Sequence, residues 1–177
     1  DEVQVGCGRT GKLFAYQHDD VAPDIMTLAK AMAGGAPIGA MVATEKAAAA
    51  FTPGSHGSTF GGNPLVTAAA LATMDVLQNE RVLDNCVEMG TYLRTCLEQL
   101  SARYCWCGEV RGRGLILGLQ LDIEGAPLVA AALKRGLLIN CTAGKVLRFV
   151  PPLIVNKGEI EHAMEVLDQV FAEFSKG

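Results

Sequence analysis

The sequence predicts an α/β protein in two parts: an incomplete mixed portion over residues 1–82 and a small α+β domain over residues 83–177. Three observations predict it. The second part alternates strand-length apolar runs with helical periods, the pattern of helices laid on one face of a sheet. The first part holds one strand-length apolar run among glycine-rich loops, with no second run to pair with it. Half of the 177 residues are apolar and 19% are charged, a globular composition long enough to bury a core.

The elements follow in order. Residues 1–24 read as loop, with seven charged residues, two Gln, Gly6, Gly8, Gly11 and Pro23. Residues 25–33 (Ile-Met-Thr-Leu-Ala-Lys-Ala-Met-Ala) predict a short helix that Gly34-Gly35 stops. Residues 37–44, with Ile38, Met41 and Val42, predict a buried strand, whose unpaired backbone requires further strands from upstream chain. Residues 45–51 predict a short Ala-rich helix, and residues 52–64 carry too many breakers for regular structure. Helical spacing runs through Leu65, Ala69, Ala72, Val76 and Leu77, weakens at Asn79-Glu80, and resumes through Val82, Cys86, Met89, Leu93, Leu97 and Leu100. Strands are predicted over 115–121, 137–141 and 146–150, and helices over 126–135 and 157–174. The domain boundary falls near residue 83, inside the long helical stretch.

Composition excludes several classes. With 15 basic and 19 acidic residues the net charge is −4, which argues against nucleic acid or an anionic membrane as partner. No run of about 18 uncharged apolar residues predicts a membrane span. Residue 1 is Asp and no basic, apolar leader follows, so the expectation is a chain without a signal peptide and without its upstream half. The six Cys (7, 86, 96, 105, 107 and 141) are expected to be reduced thiols, and the protein cytoplasmic. Cys105-Trp106-Cys107 has one intervening residue where zinc sites have two to four, and His18, His56 and His162 share no ligand or triad spacing. These histidines are expected on the surface, and no metal is expected.

Gly6-Cys7-Gly8-Arg9-Thr10-Gly11 matches G-x-G-x-x-G, and with Lys12 it approaches a P-loop. Leu13 stands where a P-loop needs Ser or Thr for Mg2+, and no helix opens at the third Gly. These glycines are read as turn formers.

Lys30 lies between Ala29 and Ala31 within an apolar segment, with Gly34-Gly35 just beyond. Taken alone it reads as a surface lysine whose stem lies along apolar neighbours; the alternative is an amine partly desolvated so that its pKa falls and it becomes a nucleophile, as Schiff-base lysines require. Pyridoxal phosphate asks three things of a protein: a lysine for its aldehyde, a carboxylate for its pyridine nitrogen, and a phosphate cup of N–H groups and hydroxyls. Lys30, Asp1 and the segment Ser58-Thr59-Phe60-Gly61-Gly62 can supply them.

Asp1-Glu2-Val3-Gln4-x-Gly6-x-Gly8-Arg9-Thr10-Gly11 resembles a signature of the class III aminotransferases. Pro23-Asp24-Ile25, Ala29-Lys30-Ala31 and Gly34-Gly35-x-Pro37-Ile38-Gly39 continue it in register. Gly57-Ser58-Thr59-Phe60-Gly61-Gly62-Asn63-Pro64 is similar to its second signature. Val110-Arg111-Gly112-x-Gly114-Leu115 and Leu147-Arg148-Phe149-Val150-Pro151-Pro152-Leu153 complete it, and Asn140-Cys141-Thr142-Ala143-Gly144 tilts it towards members acting on ω-amino donors of ornithine type.

The resemblance implies that residues 1–82 are the end of the large, cofactor-binding domain of a fold type I pyridoxal-phosphate-dependent transferase, and residues 83–177 its C-terminal small α+β domain. It implies a homodimer whose site is shared between subunits and whose substrates are amino acids and 2-oxo acids. Asp1, Glu2, Val3, Gln4, Lys30 and Thr59 would bind the cofactor: Asp1 at the pyridine nitrogen, Gln4 near the ring hydroxyl, Lys30 as the covalent and catalytic amine, Thr59 at the phosphate in the other subunit. Ser58 would lie beside the substrate and Arg148 at its carboxylate. A folded remnant without activity stays open beside the enzyme.

Overall fold

The computed structural model describes residues 1–175 and divides into two compact units, Asp1–Asp84 and a second that starts at Asn85.

The first unit is built on a two-stranded antiparallel sheet, β1 (Ile25–Leu28) and β2 (Ala40–Ala43), in register from Ile25 opposite Ala43 to Leu28 opposite Ala40. This corrects three expectations. Residues 25–33 form a strand and then a 3-10 turn, Lys30–Ala33, not one helix. The run at 37–44 is not a strand without a partner, because β1 supplies its hydrogen bonds. It is also not buried: Met41 and Val42 are exposed. The physical reason is that helix propensity over nine residues is a weak preference, and a cross-strand ladder overrides it.

Thr44 then caps α1 (Glu45–Ala48), its hydroxyl accepting the Ala47 N–H. Residues 51–62 are exposed and irregular. Asn63 caps α2 (Pro64–Asn79), accepting the Val66 N–H at 3.2 Å, and Pro64 fills a first-turn position that needs no N–H. α2 packs on the Lys30–Ala33 turn. Arg81, at φ +55°, separates α2 from α3 (Val82–Ser101).

The second unit is a four-stranded antiparallel sheet in the order β3-β4-β6-β5, with β3 Cys107–Arg113, β4 Ile116–Leu121, β5 Asn140–Thr142 and β6 Val146–Phe149. α4 (Ala126–Lys134) lies between β4 and β5, and α5 (Lys157–Phe174) follows β6. Burial alternates along β4 and β6, so Leu117, Leu119, Leu121, Leu147 and Phe149 face one core. Leu93, Leu97 and Leu100 of α3, Leu128 of α4 and Ile160, Leu167, Val170 and Phe171 of α5 join them. Each such side chain, once buried, contributes roughly 1.5–3 kcal/mol. Asn156 and Glu159 cap α5 reciprocally, Glu159 N–H to Asn156 Oδ1 at 3.0 Å and Asn156 N–H to Glu159 Oε2 at 2.8 Å.

The strand β3 is absent from the sequence prediction. It is an edge strand, and only Cys107 and Val110 of its residues pack on the core, so it carries no apolar alternation. Among the described residues no helix is long and apolar enough to cross a membrane.

Candidate functional site

The first unit brings two of the candidate residues, Asp1 and Lys30, close to β1. The Glu2 N–H donates to the Thr27 carbonyl at 2.9 Å, which ties the start of the chain to that strand. The Glu2 carboxylate is buried, at 5% exposure, and accepts the Ala15 and Tyr16 N–H groups at 2.9 Å each. A buried carboxylate is tolerated when backbone donors satisfy it. Gly6 packs against the Glu2 carbonyl so closely that a Cβ would stand 2.7 Å from it. Residues 1–18 thereby fold into an ordered cap of turns. His18 belongs to this cap, half-buried with Nε2 3.0 Å from Thr10 Oγ1, which corrects its expected surface position. Cys7 is buried there too; burial first, and then the Glu2 carboxylate, push its thiol pKa up.

Asp1 lies at the edge of this cap. Its Oδ1 accepts the Val3 N–H at 2.9 Å and stands 3.4 Å from the Thr27 hydroxyl. Thr27 is three residues before Lys30. The cap therefore brings Asp1 to the strand that delivers Lys30. Val3 and Gln4 are half-buried within it.

Lys30 opens the 3-10 turn with φ +49°, a left-handed conformation that costs a non-glycine residue about 1–2 kcal/mol. Gly34 closes the turn at φ +61°, and a Cβ there would meet Thr73 Oγ1 of α2 at 3.3 Å. Packing by α2 thus holds a strained lysine backbone in place. The side chain is exposed, as the surface reading of these residues expects, and not a desolvated amine.

Ser58 and Thr59 lie in the exposed segment ahead of α2. Ser58 Oγ accepts the Gly61 N–H at 3.0 Å, and Asn63 Nδ2 donates to the Phe60 carbonyl at 2.8 Å, so the loop is closed by its own side chains. No hydrogen bond joins Thr59 to Asp1 or Lys30 among the described residues. The helix contact with Gly34 is at Thr73, ten residues beyond the Asn63 cap, or about 15 Å along the helix axis. Arg148 stands half-buried on β6 of the second unit.

Sequence reasoning missed two features. Thr27 carried no signal because a helix over 25–33 hides its position beside Asp1. The left-handed backbone of Lys30 has no sequence marker, since only Gly and Asn announce that conformation.

The first unit thus holds an amine on a strained turn, a carboxylate in the cap against the preceding strand, and a hydroxyl-bearing loop ahead of a capped helix. Residues 1–171 match the family Aminotransferase class-III, and the chain belongs to that family. The acetylornithine aminotransferase of Methanocaldococcus jannaschii is 51% identical over 176 residues, which cover 99% of this chain and 44% of that protein. The enzyme of the same description from Aquifex aeolicus is 52% identical over 170 residues, covering 96% and 43%. Among solved structures, an ornithine aminotransferase from Toxoplasma gondii superposes with a TM-score of 0.92 at 36% identity, over 99% of this chain and 42% of its own. Pyridoxal phosphate partly occupies the active site of that structure. The chain spans less than half the length of the curated relatives it matches.

Proposed function

We propose that the full-length protein is a pyridoxal-phosphate-dependent transaminase of acetylornithine type. It would move the amino group of N-acetylornithine, or a similar ω-amino donor, to 2-oxoglutarate in arginine biosynthesis. It would work as a cytoplasmic homodimer with small-molecule substrates only. The observation that carries the reading is the approach of Asp1 to Thr27 on β1, the strand that ends two residues before Lys30. It supports a reading in which an acid and an amine serve one site in a chain of this family.

The residues fit the cofactor. When bound, pyridoxal phosphate supplies an electron sink for the carbon that loses its proton. Lys30 would hold it through Nζ, and the same Nζ would carry the proton. The Asp1 carboxylate would hold the pyridine nitrogen protonated by opposite charge. Gln4 would serve the ring hydroxyl, and Glu2 and Val3 would set the backbone between these two side chains. Thr59 offers its hydroxyl to the phosphate of a second copy, consistent with the separation of the α2 N-terminus from the Lys30 turn. Ser58 lines the substrate space, and Arg148 grips a substrate carboxylate by its planar fork.

The experiment is a panel of donors, N-acetylornithine, ornithine, succinylornithine and 4-aminobutyrate, each with 2-oxoglutarate and the full-length protein. N-acetylornithine is expected to give the highest kcat/KM. Preference for free ornithine, which the fold likeness to an ornithine aminotransferase favours as the second reading, would reassign the donor. Absence of turnover with every donor would leave a folded remnant.

A further inference from the structure

We propose that Cys105 and Cys107 form a thiol-oxidation site: a small-molecule disulfide such as glutathione disulfide reacts at Cys105, and Cys107 then closes an intrachain disulfide across Trp106. The site lies outside the residues assigned to transamination and does not rest on that reading.

The basis is a turn with a fixed centre. The Cys107 N–H donates to the Tyr104 carbonyl at 2.9 Å, which bends the chain between α3 and β3 into a four-residue turn, Tyr104 to Cys107. Trp106 anchors it. Its carbonyl accepts the Asp122 N–H at 2.8 Å, and its Nε1 donates to Ser175 Oγ at 3.3 Å. Its ring stands 4.8 Å from that of Phe171 and 5.5 Å from that of Tyr104. The residue between the two cysteines is therefore held by backbone and side chain alike.

The spacing permits the bond. Two residues of extended chain span about 7 Å at most, and a hydrogen-bonded turn spans less. Disulfides join Cα atoms about 4.4–6.8 Å apart. The strand has slack where it must move. The ladder register shifts between Cys107 and Val110, so Cys107 can turn toward Cys105 without sliding Val110 from Leu119.

The two thiols differ in access. Among the described cysteines Cys105 alone is exposed; Cys7 and Cys86 are buried, and Cys96, Cys107 and Cys141 lie between. Cys107 packs on the core of the second unit. Burial first, then the Cys105 thiol and the Asp122 carboxylate nearby, push its pKa up to about 12. Thiolates, not thiols, attack disulfides, so the oxidant enters at exposed Cys105 and Cys107 acts second, from within the turn. Cys105 in a mixed disulfide carries no charge, which removes one of the causes that hold Cys107 protonated.

The exchange balances. The Cys105 sulfur attacks one sulfur of glutathione disulfide, that S–S bond breaks, and one glutathione leaves. The Cys107 sulfur then attacks the Cys105 sulfur, and the second glutathione leaves. Each cysteine gives its proton to solvent and each leaving glutathione takes one up. Two protein thiols are oxidised and one disulfide is reduced to two thiols. In a reducing compartment the pair stays open, and it closes when small-molecule disulfide accumulates.

The test treats the native full-length protein with glutathione disulfide, blocks remaining thiols with iodoacetamide under denaturing conditions, and digests it with trypsin for mass spectrometry. Cleavage after Arg103 and Arg111 releases residues 104–111, which hold Cys105 and Cys107 and no other cysteine. The wild-type peptide is expected to lose two hydrogens and to carry neither alkyl nor glutathione groups. Dithiothreitol before blocking should return it to the doubly alkylated form. Cys107→Ser should stop at glutathione on Cys105, and Cys105→Ser should leave Cys107 alkylated. A wild-type peptide that keeps glutathione on Cys105, stays doubly alkylated, or is linked to the peptide of Cys96 or Cys141 overturns the proposal. Those outcomes are read on the wild type, so they decide the matter even where a variant fails to fold. Cys107 that takes up glutathione as fast in Cys105→Ser as Cys105 does in Cys107→Ser overturns it too.

Discussion

Gly90 of α3 backs directly onto Gly114, in the turn between β3 and β4: a Cβ at Gly90 would stand 2.5 Å from the Gly114 carbonyl carbon and oxygen. Arg94, one turn further along α3, donates to the carbonyls of Val110 at 2.8 Å and Gly112 at 2.6 Å. The helix is thus clamped to β3, the strand that carries Arg111.

Gly90→Ala should destabilise the protein despite the better helix propensity of alanine. The obstructing atoms are backbone on both sides and cannot rotate away. Overpacking of this kind costs about 1–3 kcal/mol, against a propensity gain of about 1 kcal/mol. Denaturant unfolding of the full-length variant should show a lower midpoint, and a raised midpoint would contradict the close approach.

Lys30→Ala in the full-length protein should abolish transamination and the visible absorption of lysine-bound cofactor. Among the described residues no other lysine has a left-handed backbone. A variant that still yields a borohydride-reducible adduct would remove Lys30 from the site.

Thr59→Ala should weaken cofactor binding by about 1–3 kcal/mol, the loss of one charge-assisted hydrogen bond to phosphate. Ser58→Ala should act on substrate KM instead. Equal cofactor affinity in wild type and Thr59→Ala, measured by titration of the apoprotein, would show that Thr59 does not reach the phosphate.

Acid sensitivity should trace partly to Asp168. Its carboxylate accepts the Tyr104 hydroxyl at 2.7 Å and Arg103 Nη1 at 2.9 Å. The Tyr104 hydrogen bond first, and Arg103 after it, hold its pKa below the usual carboxylate range, against an opposing pull from burial. A depressed folded pKa stabilises above the unfolded value and loses that stabilisation as pH falls through the folded one. The wild-type melting temperature should therefore fall more steeply below about pH 4 than that of Asp168→Asn. The difference should be small, since both charges are partly exposed. Parallel acid limbs would remove Asp168 from the account.

The 177-residue chain by itself should associate and show no transaminase turnover. Phe60, Leu65, Phe51, Val42 and Met41 of the first unit are all exposed, and apolar patches of several hundred Å2 drive association. Size-exclusion and turnover measurements with added pyridoxal phosphate check this. A monomeric, cooperatively unfolding, yellow and active chain would contradict it.

Periodicity alone was enough for the long helices and the core strands of the second unit, because α2, α3, α5, β4 and β6 each bury one regular face. The motifs around Asp1, Lys30, Thr59 and Arg148 were legible through their resemblance to a known family, not through any local periodicity. Tertiary structure decided the rest. Ile25–Leu28 became a strand because Ala40–Ala43 lay ready to pair with it, a partner twelve residues away that local propensity does not register. β3 is a strand because β4 completes its ladder, not because of its own pattern. The pairing of Thr27 with Met41, and of Arg148 with Asn140 and Gly118, depends on strand register. Register is a property of two segments at once, so neither segment's sequence contains it.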